Sequence, residues 1–155
     1  MNIEKENQFL EKFGLFLEKS RRIPRIGGKI YAYLLICKPE EQNATQIIKR
    51  LKIAKSSFSS MIKIFVEKQV VEEITFPEKR SRYYKIRQGG WENLFLESLQ
   101  RITSIRGLFQ EGRSLLKGEK KEVTNRIDEL DKLYNFFEDE IPEIIDKWKK
   151  YNKRS

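Results

Sequence analysis

From residue 55 to residue 63 the chain reads Lys-Ser-Ser-Phe-Ser-Ser-Met-Ile-Lys. Four small hydroxyls and two ammonium groups so closely spaced suit recognition of a polyanion, not bond-making. Hydroxyls donate to and accept from phosphate oxygens and base edges, and lysines supply charge. Short side chains also let a helix backbone settle deep in a groove. On a helix turning about 100° per residue, Phe58, Met61, Ile62 and Phe65 share one arc. Ser56, Ser57, Ser59, Ser60 and Lys63 fall outside that arc, with Lys55 at the helix start. A second group of cations, Lys79, Arg80 and Arg82, follows Pro77-Glu78 in what reads as a turn.

Other chemistries fail for want of side chains. The chain has no histidine and one cysteine, so common zinc sets, histidine-based triads and an internal disulfide are excluded. Cys37 lies on an apolar helix face with no histidine to activate it, and is expected to be a small core residue. Asp139, Glu140 and Glu143 lack a partner nucleophile or base and read as a solvated helix end. Trp91, Phe95, Phe109, Tyr134 and Trp148 could enclose a cationic effector through their ring faces, but at this spacing they read as core. No enzymatic activity, metal or cofactor is expected.

The charge distribution favours the same segment. Of 155 residues, 32 are Lys or Arg and 23 Asp or Glu, a formal net charge of +9. Residues 1–90 hold 19 basic and 10 acidic side chains, and residues 91–155 hold 13 of each. The entire excess therefore sits in the first part, as expected if that part meets a polyanion and the rest serves association. With 39% hydrophobic and 35% charged residues the chain has material for a core and a heavily solvated surface. No run approaches the roughly 20 apolar residues of a membrane span. The start, MNIEKENQFLEKF, is too charged for a secretory signal, so a cytoplasmic protein is expected.

These residues need elements to position them. Ile3, Phe9, Leu10, Phe13, Phe16 and Leu17 mark an amphipathic helix over 2–20, broken at Ser20–Pro24. A second helix begins near Pro24 and carries Gly27-Gly28, which cost about 1 kcal/mol each in helix propensity and so predict close packing. Asn43 and Gln46 have the spacing of a reciprocal cap for a short helix with Ala44, Ile47, Ile48 and Leu51 inward. The helix from Lys55 to Lys68 follows after a tight turn. Alternation over Val70–Phe76, a charged turn, and Ser81–Arg87 then predict a β-hairpin.

Gln88-Gly89-Gly90 is the clearest boundary, and beyond it all is expected to be helical. Trp91, Leu94, Phe95, Leu99, Ile102, Ile105 and Phe109 predict one long helix. Val123, Ile127, Leu130, Tyr134, Phe137 and Ile141 follow the four-three spacing of a heptad seam, read as a dimer interface. Pro142 is expected to interrupt or kink that helix and leave a short final one. The division is therefore an N-terminal supporting helix over 1–22, a DNA-binding domain over 23–90 and a helical dimerisation region over 91–155.

Helix, turn, helix and a hairpin with a basic tip is the order of a winged helix-turn-helix, mainly α with a small β-hairpin wing. Ile23-Pro24-Arg25-Ile26-Gly27-Gly28-Lys29-Ile30-Tyr31-Ala32-Tyr33-Leu34-Leu35 resembles the helix that opens GbsR-like members of the MarR-type regulators. Lys55-Ser56-Ser57-Phe58-Ser59 is similar to their recognition-helix start, and Phe76-Pro77-Glu78-Lys79-Arg80-Ser81-Arg82-Tyr83-Tyr84 to their wing. The resemblance implies a homodimeric regulator that binds double-stranded DNA at a palindromic operator, with a small-molecule effector that releases it. The sequence departs from the pattern at Lys52, where a turn glycine is common, at Ala54, where serine would cap, and at Glu78, where the wing often turns on glycine. The alternative is a winged-helix module for protein contact, without DNA affinity.

Overall fold

The computed structural model describes residues 2–154, which fall into two compact units, Met1–Trp91 and Glu92–Ser155. In the first, α1 (Ile3–Arg21) packs along α2 (Arg25–Ile36). The short helix α3 (Ala44–Leu51) and α4 (Lys55–Glu67) follow. A two-residue strand, β1 (Gln42–Asn43), precedes α3, and the hairpin β2 (Val71–Thr75) and β3 (Arg82–Ile86) comes after α4. The sheet is antiparallel in the order β1-β3-β2.

The amphipathic reading of α1 holds for one face only. Leu10, Gly14 and Leu17 are buried, whereas Ile3 and Phe16 are more than half exposed. Asn2 caps the start, accepting from the backbone N–H groups of Glu4 and Lys5. The close packing expected at Gly27-Gly28 is present. A Cβ on Gly28 would meet Gly14 of α1, and one on Gly27 would meet the Met61 side chain of α4. Lys29 pairs with Glu11 at 2.5 Å, and Arg50 of α3 with Glu6 at 2.5 Å, so α1 is bound to both neighbours.

The core of this unit lies among Leu10, Leu17, Ile30, Ile47, Phe65, Val70 and Val71, all nearly inaccessible to solvent. Tyr31 sits at its aromatic centre, against Phe65 and Trp91. Strand β1 was not expected, since the hairpin is the β structure that the sequence predicts. Gln42 is buried: its side chain accepts from the Tyr33 hydroxyl at 2.9 Å and donates to the Pro39 carbonyl at 2.8 Å. Satisfying both ends of the amide makes burial of this polar side chain tolerable.

The second unit corrects two expectations. The long helix predicted from Trp91 to Phe109 is two helices, α5 (Gly90–Arg101) and α6 (Arg106–Ser114). Between them the backbone tightens into successive three-residue turns: Ile102 donates to Leu99, Ser104 to Arg101 and Arg106 to Thr103. Thr103 and Ser104 are poor helix formers, which places the break there. Pro142, expected to interrupt the last helix, lies inside one continuous α7 (Lys121–Lys153). Proline removes the bond to the Glu138 carbonyl. Both Pro142 and Glu138 are on the exposed side, where water can replace that bond and helix continues on either side.

Within this unit α6 packs on α7. Phe109 meets Tyr134 edge-on, and Gly112 leaves room for Ile127, whose Cδ1 would stand 2.7 Å from a Cβ there. Arg106 binds both Asp131 carboxylate oxygens, at 2.9 and 3.3 Å, and also Glu138. These hydrogen bonds hold the Asp131 carboxyl below its usual range. Arg113 pairs with Asp128 at 2.7 Å, and the Trp148 indole donates to Glu92 at 2.8 Å.

Candidate nucleic-acid interface

The helix α4 is held from three directions, and this fixes which face it shows. Phe58, Met61, Ile62 and Phe65 are buried. Phe58 stands edge-on to Tyr84 of β3, Phe65 edge-on to Tyr31 of α2, and Met61 closes on Gly27. Ser56, Ser59, Ser60, Lys55 and Lys63 are therefore exposed, and Ser57 is half-buried.

The turn before α4 explains the sequence departures. Lys52 is left-handed, with φ 54°, and ends α3 where glycine would sit without strain. The Ile53 N–H reaches back to the Ile48 carbonyl at 3.3 Å, closing the turn. Ala54 caps α4 with no side-chain hydrogen bond. The first N–H groups of α4 therefore point outward without a side-chain cap, and a helix N-terminus of this kind favours an anion. Upstream, Asn43 and Gln46 form the reciprocal cap expected for α3, at 2.9 and 2.7 Å.

The wing presents three cations in different states. At its tip Lys79 donates its N–H to the Phe76 carbonyl. Its ammonium lies 4.9 Å from the Phe76 ring and 4.8 Å from the Tyr83 ring, folded onto that edge-on aromatic pair. Arg82 reaches across the hairpin to Glu73 at 3.5 Å. Arg80 is exposed and, among the described residues, makes no ion pair within 4.0 Å. The wing thus offers one unpaired guanidinium, one paired guanidinium and one docked ammonium.

Cys37 is half-buried, and its thiol donates toward the Leu34 and Glu40 carbonyls at 3.7 and 3.6 Å. Burial and nearby carboxylates push it up to about 11, so it is a thiol at neutral pH and a poor nucleophile. Burial likewise pushes the Tyr31 phenol up to about 12. Among the described residues no group of three Cys, Asp or Glu side chains could hold a metal ion. No helix there is long and apolar enough to cross a membrane.

The residues of the expected heptad seam divide. Val123, Ile127 and Tyr134 are half-buried and Ile141 is buried, whereas Leu130 and Phe137 are 47% and 41% exposed. The open face of α7 also carries Leu133, Ile144, Trp148 and Tyr151. Together with Leu130 and Phe137 these lie within an arc of about 60° on the helix. The spacing that marks an a/d seam therefore straddles two faces, one meeting α6 of the same chain and one open. Glu67 and Glu73, which line the space between α4 and the wing, were missed in the sequence, where they look like ordinary solvated acids.

Helix, turn, helix and wing define a winged helix-turn-helix fold. Residues 89–151 match the family model of MmpR5-like MarR family transcriptional regulators. The chain is 20% identical over 141 residues to the HTH-type transcriptional regulator MmpR5 of Mycobacterium tuberculosis, covering 91% of this chain and 85% of that one. The crystal structure of a transcriptional regulator superposes with a TM-score of 0.68 at 18% identity, covering 94% of this chain and 99% of the other. The likeness to that solved structure supports the winged-helix fold.

Proposed function

We propose that the chain is a sequence-specific DNA-binding regulator that acts in the cytoplasm as a homodimer on a palindromic operator. The observation that carries this reading is the exposed Lys55, Ser56, Ser59, Ser60 and Lys63 face of α4, beside Arg80 and Arg82 of the wing. It lies in the part of the chain that holds the entire positive excess. In this reading α4 enters the major groove, Ser57 supports its entry near the backbone, and Lys79, Arg80 and Arg82 meet phosphates or the minor groove.

Homodimerisation is supported by the open apolar face of α7, with Leu130, Phe137 and their neighbours exposed in a segment, residues 91–155, that carries as many acids as bases. Val123, Ile127, Tyr134 and Ile141, on the adjoining stripe of α7, complete the proposed interface. A two-fold dimer would set its α4 helices about 34 Å apart, one turn of duplex, or a multiple of it. Release by a small-molecule effector, and the GbsR-like branch, rest on the resemblance of residues 23–35 and of the wing.

Selection of bound duplex from a random pool tests the proposal. An enriched inverted repeat is expected, with affinity falling steeply as salt rises, because Lys and Arg displace condensed counterions. Affinity that is absent at low salt, or flat with salt, would instead favour a protein-contact module.

A further inference from the structure

The space between α4 and the wing is a groove that brings Lys63, Glu67, Glu73 and Arg82 together over the Tyr84 ring. Its charges alternate. Lys63 stands 4.0 Å from Glu67, one turn along α4, and Arg82 stands 3.5 Å from Glu73, diagonally across the hairpin. Of the three cations that line the groove, Lys63 and Arg82 are thus faced by a carboxylate of the same unit, while Lys55 makes no ion pair within 4.0 Å among the described residues. The two acids lie on separate elements, with only the groove between them.

Glu73 is the better placed of the two. Its side chain is 33% exposed, against 63% for Glu67, and burial, with the Glu73 carboxylate second, pushes the Tyr84 phenol up. Glu73 also pairs directly opposite Tyr84 in the β2–β3 register, which fixes its backbone. A carboxylate fixed beside an arginine that must meet a phosphate competes with that phosphate for the same guanidinium. It also repels any phosphate that approaches. A base edge or a backbone path that fits closely can overcome this competition, whereas a loosely fitting duplex cannot.

We infer that Glu73 is a specificity-determining residue: it holds Arg82 as an internal counter-anion and thereby weakens binding to duplexes that do not fit the groove. The inference rests on the proposed DNA-binding function. It predicts that Glu73→Gln tightens binding to a mixed-sequence duplex by about three- to tenfold at low salt, and steepens its salt dependence by up to about one counterion. Binding to the selected operator should tighten less, so discrimination falls.

The test compares E73Q with Glu18→Gln, which removes an equal charge from α1 beside Arg25. It also compares R82Q with the E73Q/R82Q double variant. E18Q should change mixed-sequence affinity by less than about twofold. The E73Q gain should vanish when Arg82 is absent, a coupling that a general charge effect does not produce. Circular dichroism and thermal melting establish that each variant is folded. If E73Q is poorly folded, Glu73→Ala, which removes the same charge, takes its place in both comparisons. Wild-type binding with E73Q no tighter than E18Q, or an E73Q gain that persists in the R82Q background, overturns this inference alone. Absence of duplex binding by the wild type and every variant overturns it together with the proposed function.

Discussion

Gly28 of α2 lies so close to Gly14 of α1 that a Cβ on Gly28 would stand 2.7 Å from the Gly14 Cα. The opposing atom is backbone, so no side chain can rotate away. Gly28→Ala gains about 1 kcal/mol of helix propensity but forces two helices apart, an overpacking cost of about 1–3 kcal/mol. The net expectation is destabilisation, read as a lowered midpoint in urea unfolding. An unchanged or raised midpoint would mean that α1 does not pack as closely as described.

The turn before α4 predicts the opposite sign. Lys52 carries a left-handed backbone that disfavours any side chain by about 1–2 kcal/mol, and glycine loses roughly 0.5–1 kcal/mol in chain entropy. Lys52→Gly should therefore stabilise slightly, and Ala54→Ser should add about 1 kcal/mol by capping α4. Denaturant midpoints of both variants check this. Because serine would engage an N–H of the first turn, A54S is also expected not to strengthen DNA binding.

For the residues proposed to face DNA, the expected losses differ in kind. Substituting Ser56, Ser59 or Lys63 should reduce discrimination between the selected operator and other duplexes. Arg80→Ala should weaken binding to all duplexes by a similar factor, since its guanidinium is unpaired and at the wing tip. Titrations against both duplexes separate the two cases. A loss in R80A confined to the operator would show base reading by the wing.

On α7, Leu130→Ala and Phe137→Glu are surface changes in the single chain and should leave its helical content, read by circular dichroism, unchanged. They should still weaken association, and with it DNA affinity. Sedimentation of the wild type and both variants at micromolar concentration is the measurement. A monomeric wild type would place the interface elsewhere or remove it.

At alkaline pH, Tyr31 sets a window. Its phenol ionises near 10 in an unfolded chain and near 12 in the folded one, because burial opposes the charge. The folded state keeps a proton that the unfolded state has lost, so this contribution is full below pH 10 and is lost as pH rises toward 12. Tyr31→Phe should flatten that part of the stability profile, as chemical unfolding at pH 8 to 11 would reveal.

What was legible in the sequence was mostly local. Asn43 and Gln46 are three residues apart and cap each other; Gly27-Gly28 meet neighbours; the hairpin alternates with period two. Each of these depends on short-range chemistry that spacing records. Strand β1 was not legible, because two residues carry no period and Gln42 is buried through partners distant in the chain. The break at Ile102–Ile105 was masked by apolar residues that keep a helical period across it. Pro142 misled for another reason, since whether proline stops a helix depends on what surrounds the orphaned carbonyl. The pairing of Arg82 with Glu73 joins residues on two strands, and only the register brings them together.

Strand β1 has a mechanical consequence. Asn43 pairs with Tyr83 of the wing and, in the same residue, caps α3. The helix pair and the hairpin therefore share a pivot, and Phe58 on Tyr84 braces them at a second point. Two fixed points on one strand make the wing and α4 the jaws of a calliper set to one opening. In the proposed complex, a duplex whose groove differs in width would meet two elements already set to one spacing.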